Sequence, residues 1–272
     1  MYSNIVVLWV VVLVVTMSSG WPSGANGQPS GGQHHHVNSG RSSAKKKPAS
    51  ASKHLRAAFL RWFRDIGGRA PNITLDQVTA DGGTGIVATS DIEVESPMMS
   101  IPMDYVIWEQ TIASRIRDMR HQGQQNVKAA LRSLKSDDDL MTLFLMYEAS
   151  QGNQSDWYPY LRLLPSRDNI HLPVFFDERE IIALQDSYMI NAVRSQQDRL
   201  NRKYHMIKPA VLNLFAHVPA AERAAHVSQE NWMYWETIVG SRALIIKGRR
   251  YLVPFADMFN YKPQRGERRA HS

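Results

Sequence analysis

Apolar residues recur at three- and four-residue spacing from Lys53 to Ile66, at Leu55, Ala58, Phe59, Trp62, Phe63 and Ile66, with Arg56, Arg61 and Arg64 between them. That spacing predicts an amphipathic helix. Such a helix can lie on a membrane, but more often this periodicity marks a surface helix docked on its own domain. From residue 72 to 107 the period changes. Asp81-Gly82-Gly83-Thr84-Gly85 opens a tight turn, and Val78, Ile86-Val87-Ala88-Thr89 and Met98-Met99-Ser100-Ile101-Pro102 read as strands around it. From Thr111 to Ala225 the pattern is helical. Asp137-Asp138-Asp139 stand before Leu140 to Glu148, where acids favour a helix start; capping and solvation explain them without a metal. Trp157 to Pro165 carries two prolines and predicts a loop anchored by aromatics. A capped helix begins at Phe176-Asp177, and another runs from Asn231 to Val239 and delivers Ser241-Arg242.

The amino-terminal pattern is of another kind. Ile5 to Val15 is an unbroken apolar run followed by small and polar residues, which reads residues 1–20 as a signal peptide or a short signal anchor, the one place where membrane contact is expected. Residues 21–52 are rich in Gly, Ser, Ala, Pro and Lys and contain no acid, so they predict a disordered basic linker or a transit-like segment. The two together fit the secretory pathway, or a plastid or other organelle reached through a two-part presequence. His34-His35-His36 lie in that tract, where adjacent positions do not build a defined metal site, and no metal is expected.

Composition narrows the chemistry. The 272 residues contain no cysteine, which removes disulfides, thiolate catalysis and cysteine-ligated zinc. The net charge of +7 is unevenly spread. Residues 1–64 hold eight Lys or Arg and no acid, residues 65–241 sixteen bases and twenty-three acids, and residues 242–272 eight bases and two acids. The basic excess lies at the two ends, outside the predicted folded centre, so nucleic acid is not the expected partner.

The candidate chemistry lies in three motifs. Gly83-Thr84-Gly85 leads through Ile86 and Ala88-Thr89 to Asp91-Ile92. Phe144-Leu145 with Tyr147-Glu148, Trp157 with Pro159-Tyr160-Leu161 and Leu164-Pro165, and Leu184-Gln185 with Ser187 mark the helical region. Ser241-Arg242 is followed by Tyr251-Leu252-Val253-Pro254-Phe255-Ala256-Asp257-Met258-Phe259-Asn260-Tyr261. In this order, from about Asn72 to Tyr261, the set resembles SET-domain protein methyltransferases of the Rubisco large-subunit methyltransferase branch, which also includes actin-histidine and non-histone lysine methyltransferases. The resemblance implies an α+β, SET-type β fold with a long helical insertion, incomplete at the C-terminus. The partial domain spans 53–272, with a β half at 72–107, the insertion at 111–230 and the C-terminal motif at 231–261.

It also implies S-adenosyl-L-methionine as cofactor and a protein substrate methylated on lysine, with histidine as the alternative. Carried over by position, Gly83, Thr84 and Gly85 face the methionine end of the cofactor. Asn260 grips the cofactor with its amide, Tyr261 offers backbone contacts where the family has histidine, and Arg242 with Ser241, and Asp257, support the methionine portion. The acid that the family often carries before the Gly-x-Gly is replaced by Gly82, with Asp81 one residue earlier. No catalytic residue is assigned, because the family's catalytic Tyr follows the Asn-His pair at a distance that Pro263 to Ser272 do not provide. The alternative is therefore a catalytically inactive remnant that binds a partner protein. Glycans at the sequons Asn72-Ile73-Thr74 and Asn153-Gln154-Ser155 would favour a secreted or tethered interaction protein.

Overall fold

The computed structural model describes residues 5–6, 49–78, 83–118, 125–134, 136–170 and 172–259. The bulk of the leader, His34-His35-His36, Asp81-Gly82, Asn260 and Tyr261 lie outside the described residues. In chain order the elements are β1 (Ile5–Val6), α1 (Ala49–Asp65), β2 (Ile73–Gln77), β3 (Thr84–Ala88), β4 (Ile101–Pro102), α2 (Glu109–Asp118), α3 (Gln125–Arg132) and α4 (Asp137–Ser150), followed by α5 (Tyr158–Leu163), α6 (Glu178–Ile182), α7 (Ser187–Leu214), α8 (Ala220–His226), α9 (Gln229–Arg242), β5 (Leu244–Ile246) and β6 (Arg249–Tyr251). The class is α+β. Among the described residues the strands form separate antiparallel pairs, β1 with β4, β2 with β3 and β5 with β6. The β half is thus thinner than the residue pattern suggested. A turn at Glu93 to Ser96, with Glu95 at φ 66, interrupts the chain between Ile92 and Ser100.

The first helix docks on its own domain. Phe59 and Phe63 are buried, and their rings meet Phe255 at 5.9 and 5.0 Å; Phe59 also meets Tyr160 at 6.3 Å. Ala58, read as part of the apolar face, is exposed, and Arg56 is buried in its place, donating to Asp76 on β2 at 3.3 Å. The helix ends in a Schellman turn: Gly68 N–H donates to Phe63 O at 2.8 Å and Gly67 N–H to Arg64 O at 2.9 Å, with Gly67 at φ +88. A Cβ at Gly68 would stand 2.5 Å from the Phe63 carbonyl oxygen, so only glycine passes there. Among the described residues no helix is long and apolar enough to cross a membrane.

The centre of the core is α4, in which every residue from Met141 to Glu148 is buried, as expected for a helix enclosed on all sides. Its aspartates do more than cap and solvate. Asp138 pairs with Arg250 on β6, and Asp139, with only 14% of its side chain exposed, lies 3.0 Å from the Lys203 ammonium of α7. Lys203 also reaches Glu236 of α9 at 2.9 Å and sits over the Trp232 ring at 5.8 Å. One ammonium therefore joins three helices. Burial pulls its pKa down, but Glu236 and Asp139 more than offset that, and the net shift is upward from 10.5. The pair-derived stability is present below that value and is lost as pH rises through the raised folded-state value. Lys203→Met is expected to destabilise by about 3 kcal/mol at neutral pH, because two largely buried carboxylates are left without their cation. Urea melts at pH 7 of the variant and the wild type check this.

The segment predicted as a loop at Trp157 to Pro165 contains α5. Pro159 occupies the first turn, where a proline has no intrahelical bond to lose, and the helix stops before Pro165. Trp157 Nε1–H donates to Tyr105 O at 3.0 Å and its ring meets Phe144 edge-on at 5.5 Å, so the aromatics anchor the element as expected. Asp177 and Glu180 form a capping box on α6, and Asp186 accepts from Tyr188 and Met189 N–H at the start of α7. The hairpin β5–β6 closes on Lys247-Gly248, at φ 50 and 76, the signs that a two-residue type I′ turn requires.

Candidate functional site

Ser228 caps α9 by accepting Asn231 N–H at 3.1 Å, and the helix continues three residues beyond its expected end at Val239, so that Arg242 closes its last turn. A cation there suits the helix dipole. Arg242 Nη1 donates to Asp257 Oδ2 at 3.0 Å and to the Asp257 carbonyl at 3.3 Å, and lies 3.6 Å from Met258 Sδ. Among the described residues its hydrogen bonds all run through Nη1, and none through Nε or Nη2. The side chain of Asp257 is wholly buried, so this is an internal ion pair and not the surface pair that would contribute little.

The sequence assigned Tyr160 no role, yet its hydroxyl donates to the same Oδ2 of Asp257 at 2.9 Å. The other oxygen, Oδ1, is buried without a partner among the described residues. Burial pushes the Asp257 carboxyl above its ordinary range, and Arg242 and Tyr160 pull it partly back. Burial and then the Asp257 charge hold the Tyr160 phenol well above its usual value, so it stays a donor.

The turn that presents Asp257 is strained. Phe255 has φ 78 and ψ −50, close to the γ-turn minimum that L residues rarely adopt. Such a conformation costs about 1–3 kcal/mol and persists only where packing imposes it. Here the Phe255 ring is clasped by Phe59 and Phe63 of α1. No residue pattern signals this, since phenylalanine is not a turn former.

The glycine motif stands beside this turn. β3, which starts at Thr84, lies against Ala256 to Met258; Gly85 is buried opposite Asp76, and Gly83 O accepts Val78 N–H at 2.8 Å. Gly83, Thr84, Gly85, Arg242 and Asp257 are thus gathered on one side of the molecule. Ser241 is not aimed at them: its hydroxyl donates back to Thr237 O at 2.7 Å and the residue is exposed. Instead it borders a separate open cleft of about 380 Å³ between α7 and α9, with Leu172, Val174 and Leu200 on the apolar side and Arg199 and Glu236 at the rim. Asn260 and Tyr261 follow directly on Phe259 and lie outside the described residues. Among those described, no group of three or more His, Asp or Glu is placed to hold a metal ion.

No family model matches the chain. It is similar to the N-lysine methyltransferase setd6 of Xenopus tropicalis, 25% identical over 171 residues that cover 60% of this chain and 36% of that protein. It is also similar to the actin-histidine N-methyltransferase of Rattus norvegicus, 24% identical over 146 residues, covering 54% of this chain and 23% of that one. The chain spans about a third of the first relative's length and less of the second. Its fold matches the structure of Rubisco LSMT bound to AdoMet, with a TM-score of 0.56, 21% identity, and coverage of 79% of this chain and 45% of that chain.

Proposed function

We propose that this chain, a SET-domain protein of the Rubisco large-subunit methyltransferase branch, binds S-adenosyl-L-methionine and transfers its methyl group to a protein side chain, lysine first and histidine as the alternative. The observation that carries this is the buried Arg242–Asp257–Tyr160 cluster beside the glycine-rich start of β3. The residues present fit such a ligand. The Nε–Nη2 edge of Arg242, which bonds to no described residue, suits a carboxylate, which a guanidinium fork binds with two parallel bonds. The backbone of Gly83-Thr84-Gly85 can approach a ligand closely because two of its three residues have no side chain.

In this reading Asp257 orients Arg242, Asn260 grips the cofactor with its amide, Tyr261 contributes backbone, and Ser241 acts only by ending α9 in the right place. The bound cofactor would supply an electrophilic methyl on sulfur. The work left to the protein is alignment of donor and nucleophile and exclusion of water, which needs no metal ion.

The test is calorimetric titration with S-adenosylhomocysteine, followed by transfer of a labelled methyl group to protein from unmethylated extract and hydrolysis to amino acids. Saturable binding and label in methyl-lysine are expected; label in methylhistidine would move the substrate to the alternative. A chain that melts cooperatively but neither binds nor transfers would leave a partner-binding role. The apolar run at residues 5–15 and the acid-free residues 21–52 support routing to the secretory pathway or to a plastid.

A further inference from the structure

We propose that Tyr160 is a positioning residue for the cofactor clamp: its hydroxyl fixes the Asp257 carboxylate, which in turn aims the guanidinium of Arg242. The inference rests on the cofactor reading above and adds a residue from the helical insertion to it.

Three observations support it. First, Tyr160 and Arg242 both address Oδ2, at 2.9 and 3.0 Å, so the phenol and the guanidinium share a single acceptor atom. A carboxylate held by one donor can swing about its Cβ–Cγ bond; held by two donors from different elements, it cannot. Second, Tyr160 itself cannot move. It is fully buried, its ring lies between Phe59 and the site, and its helix is pinned from outside. There, Arg115 pairs with Asp156 and stacks over Trp157 at 5.3 Å, and Trp62 Nε1–H donates to Asp156 O at 2.8 Å. Third, among the described residues Asp257 has no partner at Oδ1, so without the phenol Arg242, the group it is meant to orient, would be the one side chain left holding the carboxylate.

The charged and titratable groups around Asp257 are few. Arg242 faces it from α9 and Tyr160 from α5, with Tyr234 of α9 acting on Tyr160. The ionised carboxylate is the form that holds Arg242, so cofactor binding should fall as pH falls through the Asp257 titration. Removing the phenol removes a donor to the ionised form and should move that acid limb to higher pH.

The experiment is the pH profile of S-adenosylhomocysteine binding for the wild type, Tyr160→Phe and Tyr234→Phe. The second variant is the control. Tyr234 is also a largely buried phenol, pushed up to about 12 by burial, but it donates to Pro165 O at 2.9 Å and not to Asp257. Tyr160→Phe is expected to weaken binding by roughly tenfold to a hundredfold at neutral pH, in line with loss of a hydrogen bond to a charged group, and to shift the acid limb upward. Tyr234→Phe should leave the limb in place. Superimposable profiles for Tyr160→Phe and either the wild type or Tyr234→Phe would overturn the inference. Absence of binding by the wild type would overturn the cofactor reading instead. The Asp257 carboxyl can then still be titrated by carbon-13 NMR in the ligand-free protein, and a titration unmoved by Tyr160→Phe would overturn the positioning role on its own.

Discussion

Arg242→Ala is expected to lower the unfolding free energy by about 3 kcal/mol at pH 7, and to abolish S-adenosylhomocysteine binding. Two facts set the size. The Asp257 side chain is fully buried while that of Arg242 is 22% exposed, so deletion strands the partner that has no access to water. Among the described residues that partner already has one oxygen without a hydrogen bond, and Tyr160 would be its one remaining side-chain donor. The loss has a ceiling, because Asp257 can take up a proton; each pH unit between its raised pKa and the solvent adds about 1.4 kcal/mol.

The same reasoning fixes the pH dependence. A carboxyl whose folded pKa lies above its unfolded value binds more protons folded than unfolded in that window, so stability there falls as pH rises. The variant's deficit should therefore be greatest at neutral pH and should narrow as pH falls towards the carboxylate range. Urea melts at pH 7 and pH 5 check it. The double variant Arg242→Ala with Asp257→Asn provides a sharper comparison, since it removes the stranded charge. It should recover much of the lost stability while leaving binding absent, and a purely additive double variant would refute the buried-charge explanation.

Phe59→Ala should cost about 4 kcal/mol, the range expected for truncating a fully buried aromatic ring. The Phe59 ring contacts Trp62, Phe63, Tyr160 and Phe255, so the cavity would open between α1 and the turn that carries Asp257. The effect therefore has two parts. Stability falls through lost packing, and Phe255 loses one of the two rings that hold it at φ 78. A relaxed Phe255 would displace Asp257 two residues on. Cofactor affinity should drop even under conditions where the variant is fully folded. The control is Arg61→Ala, at an exposed position on the outer face of the same helix, which should leave both properties unchanged. Equal behaviour of the two variants would mean that α1 does not brace the site. With total stabilities commonly between about 5 and 15 kcal/mol, Phe59→Ala approaches the limit of what a domain can absorb.

Much of this organisation was legible in the residue pattern because it is local. The period of α1 is set by which side chains one helix face turns inward, and the acid-rich start of α4 by backbone amides one turn away. Ser241-Arg242 and Asp257 were legible as a motif, but not the burial that makes their pairing internal. What stayed hidden depends on chain segments distant in sequence. Tyr160 lies 97 residues from its acceptor. Lys203 binds acids on two other helices, and only packing shows that Asp139 faces it instead of water. The prolines at 159 and 165 look like signs of a loop but bound a helix, because a proline in a helix's first turn and one just past its end leave the turns between them intact. The φ of Phe255 had no local cause at all; it is imposed by two phenylalanines from the first helix.

The β5–β6 hairpin bears on how the folded chain behaves in a crowded solution. Arg249 and Arg250 tie β6 to Glu109 and Asp138, and Leu252 bridges to Ile107, so the inner strand is secured. The outer strand is not: Leu244, Ile245 and Ile246 are 37%, 58% and 38% exposed, and among the described residues β5 has β6 as its sole neighbour. An apolar strand with an open edge is a template for another strand, and only Lys247 at the tip stands guard in the way that edge strands usually require. Pairing between molecules rises with the square of concentration, whereas unfolding does not depend on it. Loss of monomer from a concentrated solution is therefore expected to follow this exposed edge, so that Ile245→Lys should slow it more than a substitution that strengthens the core.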